Sequence, residues 1–175
     1  MRFAKPILAV LFAALAGLPA AAQDKRSQDL ATLKTLLLQL KVNPYPPPRE
    51  RSAQLLVALI RRMDVSAIDQ ATIDEIAGYL DDNSDAVRGR MAIALGNIGV
   101  SAKHTVPALE KAFVRAKDYI ATAQNNLPSI SRLSTSADGI CFALWKLEAA
   151  TLPEGCYEAR YTPPAPADAT ATPAN

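Results

Sequence analysis

The sequence predicts an all-α protein, and three observations carry that reading. Leucine and isoleucine recur at helical spacing in six separate stretches. Alanine and leucine dominate, while aromatic residues make up only 6% of the chain, so the β-branched and aromatic runs that strands need are scarce. Prolines, glycines and short polar turns separate the stretches.

The first helix places Leu30, Leu33, Leu37 and Leu40 on one face. Asn43-Pro44-Tyr45-Pro46-Pro47-Pro48 breaks it, because consecutive prolines cannot continue a helix. A second helix follows with Leu56, Leu59, Ile60 and Met63 on one side, and Asp64 to Ser66 is a turn. The third helix carries Ile73, Ile76, Ala77 and Leu80. Asp81 to Asp85 is the next turn. Its last members, Ser84 and Asp85, are suited to cap a fourth helix, since their oxygens can accept free backbone N–H groups. That helix turns Val87, Met91, Leu95 and Ile98 inward, and Gly99 ends it. Pro107 suits the first turn of a fifth helix, with Leu109, Ala112, Phe113, Ala116 and Ile120 as its apolar face. Residues 127–135 read as a polar loop. A sixth helix runs from about Ala137 to Ala150, with Ile140, Leu144 and Leu147 inward.

The six helices pair into three units, aligned on Ala58-Leu59, Ala94-Leu95 and Ala143-Leu144. The middle unit is the most specific. It combines the acidic turn, Val87-Arg88, Ala94-Leu95-Gly96-Asn97-Ile98-Gly99 and Val106-Pro107-Ala108-Leu109. On these residues the segment resembles a HEAT repeat, the two-helix unit of armadillo-like α-solenoids. The specific residues lie within 73–113; in architecture the resemblance covers about 27–150. The first spacing between units is close to the roughly 40 residues of one repeat. The second is longer, which places an insertion in residues 118–135. The outer units lack the Val-Arg pair, and Trp145 stands where the middle unit has Gly96. The resemblance implies a short α-solenoid of about three antiparallel helix pairs in a right-handed superhelix. Such folds hold other molecules and rarely carry chemistry of their own. It also implies that Arg88 helps to stitch neighbouring repeats.

Arg2 and Lys5 precede an apolar run from Ile7 to Leu18 and an Ala20-Ala21-Ala22 site before Gln23. This is the layout of a secretory signal peptide, with cleavage expected after Ala22. The alternative, a membrane anchor, would need roughly 20 apolar residues. The predicted organisation is a signal peptide over 1–22, a helical domain over 23–161 and a disordered tail over 162–175. That tail holds Pro, Ala, Thr and Asp without a large apolar residue. Without Arg2 and Lys5, 17 basic residues balance 17 acidic ones. No basic stripe remains for nucleic acid. A periplasmic or secreted location follows, with no membrane insertion after signal removal.

Candidate chemistry is sparse. Asp81-x-Asn83-x-Asp85 begins like a calcium loop, but Ala86 and Ala92 stand where glycine and glutamate are required. The reading preferred there is a helix-capping turn. His104 is the sole histidine, beside Lys103, and reads as solvated. Catalytic residues, metal ligands and cofactors are therefore all read as none. Pro44 to Pro48 could serve as a polyproline ligand, though such a stretch is more often a stiff connector. Cys141 and Cys156 are the only cysteines, and an exported chain favours a bridge between them. The alternative is a buried free Cys141 with an exposed Cys156.

A partner surface follows from helical angles. Ile93 lies about 160° from Leu95 and Asn97 about 200°, with Arg90 beside them. Second helices of HEAT-like units usually line the concave side. Carried across the units, this gives an apolar row of Val57, Ile93 and Phe142 and a polar row of Arg61, Asn97 and Lys146. The function expected is an exported, non-enzymatic interaction scaffold that binds a peptide or small protein surface. Three repeats offer little area, so a small or linear epitope is the expected ligand. The alternative is a small enzyme or accessory subunit, as in the lyase branch of HEAT-like repeats. A structural envelope component that self-associates is a third reading.

Overall fold

The protein is seen here as a computed structural model that describes residues 20–126 and 136–156. The loop expected over 127–135, most of the signal peptide expected over 1–22 and the tail expected over 162–175 lie outside the described residues. The described residues form six α-helices: α1 (Ala20–Val42), α2 (Pro46–Ile60), α3 (Gln70–Gly78), α4 (Asp85–Ile98), α5 (Val106–Asn126) and α6 (Ser136–Lys146). Three short 3-10 segments, Val65–Ala67, Tyr79–Asp81 and Gly99–Thr105, join them. No strand is present among the described residues.

Each boundary has a local cause. The residue before a proline is driven out of the helical region, so α1 stops short of Pro44. Asn43 closes it by donating both its backbone and side-chain N–H to the Gln39 carbonyl. The later prolines differ from the connector expected. Pro46, Pro47 and Pro48 begin α2, where the missing N–H groups would have had no helical partner. Asp69 caps α3 by accepting from the Thr72 N–H at 2.8 Å. Ser84 caps α4 by accepting from the Val87 N–H. Gly99 ends α4 with φ of 75°, a backbone conformation that glycine adopts without cost.

Packing places α4 at the centre. α1 lies on α2, α2 on α4, and α4 on α6; α3 packs on α4 and α5 on α6. Leu33, Leu37, Leu40, Leu56, Leu59, Ile60, Ile73, Ile76, Leu80, Met91, Leu95 and Leu109 are fully buried between them. Each such side chain stabilises by roughly 1.5–3 kcal/mol over leaving it in water. α4 is buried almost all round, at Val87, Gly89, Met91, Ala92, Ala94, Leu95, Gly96 and Ile98. Its small residues let α6 come close. A Cβ on Gly139 would stand 2.4 Å from the Gly89 carbonyl oxygen, and one on Gly96 would stand 3.0 Å from the Ala143 Cα. After α6 the chain doubles back, and the Cys141 and Cys156 sulfurs lie at bonding distance with Cα atoms 5.4 Å apart.

Candidate functional site

One stripe from each of α2, α4 and α6 lines a cleft of about 470 Å³. α2 contributes Gln54, Val57 and Ala58, and Arg61 just past its end continues the same face at helical intervals. α4 contributes Asp85, Ala86, Gly89, Arg90 and Ile93, and the first turn of α6 contributes Ser136 and Gly139. Ala58, Ala86, Gly89 and Gly139 in this lining carry little or no side chain. The size falls within the range of clefts that hold ligands.

Polar groups order one end of this cleft. The Asp85 carboxylate accepts from the Ser136 backbone N–H at 2.9 Å and from the Ser136 hydroxyl at 2.6 Å. It thereby caps α6 from another helix, where the positive end of the helix dipole favours a carboxylate. Arg88 donates to Asp85 at 2.8 Å and also to the Asp82 carbonyl at 2.7 Å. So Arg88 holds the turn before α4 to the first turn of α4 itself. Arg49 at the start of α2 pairs with the buried Asp82 carboxylate, and Ser84 donates to Glu50 at 2.8 Å. Carboxylates thus tie together the N-terminal ends of α2, α4 and α6.

Four of the sequence-derived partner residues meet in the cleft: Val57, Arg61, Arg90 and Ile93. Three do not. Phe142 lies farther along, with its ring against Gly96 and 6.3 Å from the Trp145 ring. Lys146 is exposed, with Nζ 5.5 Å from the Trp145 ring centroid. Asn97 is half-buried, and its amide nitrogen is enclosed without a hydrogen-bond partner among the described residues. The apolar row is also less open than expected. Val57 is 8% exposed and belongs to the core, and Ile93 and Phe142 are half-buried. α4 has neighbours on both flanks, which narrows the face that angular counting leaves to solvent. The cleft residues missed in the sequence are Gln54, Ala58, Asp85, Ala86, Gly89, Ser136 and Gly139. Small residues three apart, Ala86 with Gly89 and Ser136 with Gly139, were the available signal.

Other expected features have definite places. Ala22 and Gln23 lie exposed in the first turn of α1. The acidic turn spends its oxygens on the protein, with Asp81 paired to Arg115 and the Asn83 carbonyl accepting from Arg88. Among the described residues no group of three or more His, Cys, Asp or Glu side chains is placed to hold a metal ion. No helix among them is long and apolar enough to cross a membrane. His104 was expected to be solvated. It is exposed, and its Nε2 lies 2.8 Å from Asp74 and close to the Gln70 amide, with Nδ1 3.2 Å from the Ser101 carbonyl. The Gly99–Thr105 turn sets it onto α3, a contact that chain order does not reveal. Burial raises the Tyr79 phenol above its usual pKa, with Glu75 adding to the rise. Its hydroxyl donates to the Leu37 carbonyl at 3.2 Å and ties α3 to α1.

No protein-family model matches this chain, and no curated protein or solved structure matches it significantly either.

Proposed function

We propose that this chain is an exported, non-enzymatic interaction module of HEAT-repeat type. In this reading α1 with α2, α3 with α4, and α5 with α6 are three antiparallel pairs of a short right-handed solenoid. The second helix of each pair faces the partner. The observation that carries the reading is the cleft itself, where α2, α4 and α6 combine Val57 and Ile93 with Arg61 and Arg90. A surface built from successive second helices is how solenoids present ligands with a continuous groove. The contact order, α2 on α4 on α6, supports the same arrangement.

Export is supported by two features. The leader has the three-part layout of a signal peptide. The Cys141 and Cys156 sulfurs sit at bonding distance, and such bonds persist in oxidising compartments. The ligand is a peptide or a small protein surface, because the cleft is too small for a broad globular face.

Affinity capture from native envelope extract, followed by mass spectrometry, tests the proposal. The bait is the exported chain, with a parallel Ile93→Asp/Phe142→Asp variant checked for helicity by circular dichroism. One dominant partner, lost in a helical variant, is the expected result. Absence of any partner, or a partner held equally by the variant, would overturn the reading.

A further inference from the structure

We infer that the cleft takes a short acidic–apolar peptide segment, with a carboxylate held by Arg61 and Arg90 and a neighbouring aliphatic side chain seated on Val57 and Ile93. The inference rests on the interaction-module reading and gives its ligand a chemistry.

The charge balance of the lining decides the sign. Among the described residues three charged side chains line the cleft: Arg61, Arg90 and Asp85. Asp85 is already committed, with one oxygen on the Ser136 N–H and the other on the Ser136 hydroxyl and Arg88. Its charge is therefore offset within the protein. Among the described residues neither Arg61 nor Arg90 has a carboxylate within ion-pair distance. Arg90 makes a long 3.4 Å bond to the Ala86 carbonyl, and a guanidinium has five N–H donors. Two arginines from neighbouring helices line the cleft, and a guanidinium meets a carboxylate in a planar, two-pronged geometry that lysine cannot offer.

The floor selects what accompanies that carboxylate. Val57, Ala58, Ala86, Gly89 and Ile93 are apolar, so they favour an aliphatic side chain and disfavour an uncharged polar one. No aromatic side chain lines the cleft among the described residues, so it offers no stacking platform for a nucleobase. At about 470 Å³ it holds a few side chains of an extended segment rather than a helix face.

The probe is a fluorescein-labelled peptide, Gly-Leu-Asp-Leu-Gly with blocked ends, titrated with the exported chain in fluorescence polarisation. Its asparagine counterpart is the control. The aspartyl peptide is expected to bind about tenfold tighter, the value of one well-made charge-assisted contact. Arg61→Gln and Arg90→Gln are each expected to weaken it by roughly five- to tenfold. Lys146→Gln, outside the cleft, should leave affinity unchanged. Raising salt to about 0.15 M should weaken the aspartyl peptide more than the asparaginyl one. Equal binding of the two peptides, or no binding of either at about 1 mM (a contribution near 4 kcal/mol), would overturn the inference. So would binding that emerges only when residues 157–175 are removed, since the occupant would then be the chain's own tail. The underlying reading fails separately. A captured partner that survives Arg61→Gln/Arg90→Gln but is lost with Ile93→Asp/Phe142→Asp would keep the interaction module and discard the acidic ligand.

Discussion

Replacing Gly139 by alanine tests the close approach of α4 and α6. The added Cβ would stand 2.4 Å from the Gly89 oxygen and 3.0 Å from the Gly89 Cα and carbonyl carbon. Carbon–oxygen contacts between helices settle near 3.3–3.6 Å, so α4 and α6 must part locally by about 1 Å. The opposing atoms are backbone and cannot rotate away. The cost therefore lies at the upper end of overpacking, about 3 kcal/mol. Alanine in a helix returns about 1 kcal/mol relative to glycine. The net loss expected is about 2 kcal/mol. Urea unfolding followed by far-ultraviolet circular dichroism, under oxidising conditions, measures it. Gly78→Ala is the matched control. Gly78 lies at the end of α3 with nothing within 4 Å of the added carbon, so a gain of about 0.5–1 kcal/mol is expected there. The reasoning fails if Gly139→Ala is as stable as the parent while Gly78→Ala gains as expected. In that case α4 and α6 would not meet at these two glycines.

Further outcomes follow from other parts of the fold. Replacing Cys141 and Cys156 together by serine should cost about 3 kcal/mol, because the bond spans 15 residues of sequence, and added reductant should reproduce the loss in the parent. Asp85→Ala should cost about 2 kcal/mol in urea unfolding, since it strips Ser136 of its cap and leaves Arg88 without that carboxylate. Gly99→Ala should cost about 1–3 kcal/mol, read as a lower urea midpoint, because alanine resists a φ of 75° with ψ of −142°. Asp69→Ala should cost about 1 kcal/mol at neutral pH through loss of the α3 cap. The Thr72 hydroxyl and then its backbone N–H hold the Asp69 carboxyl below its ordinary pKa. A lowered folded-state pKa contributes stability that is present above the unfolded value, near 3.9, and is lost as pH falls through the lowered one. The gap between parent and Asp69→Ala should therefore narrow on acidification below about pH 4. A gap that stays constant would assign the effect to helix propensity instead of the cap.

Much of the helix layout was legible from the residues because its signals are local. Ser84 and Gly99 bracket α4 in the sequence as they do in space, and the leucines of α1 and α2 mark the buried faces. The prolines were harder. Pro46 to Pro48 suit a connector and a first helical turn equally well, and only the start of α2 at Pro46 separates the two. The cleft was half legible. Angular counting finds residues opposite the core of one helix, as it found Ile93 and Arg90. It cannot tell how far neighbouring helices slide past each other. That slide follows from the Gly89–Gly139 approach, which leaves Ser136 and Gly139 in the cleft and Phe142 beyond it. The link from His104 to Asp74 was hidden for the same reason, since it depends on where a turn lays one element across another.

The carboxylate ties at the helix starts also have a mechanical consequence. Arg49 with Asp82, and Asp85 with Ser136, work like rivets at one end of a fan whose ribs are α2, α4 and α6. Ribs riveted at one end spread least near the rivets. The Asp85–Ser136 wall of the cleft is therefore stiff. Arg61, just past the last residue of α2, lies at the other end of that helix, next to the buried Ile60. In the proposed binding role, the tied Asp85–Ser136 end would give an occupant one boundary held in place by the protein's own polar bonds.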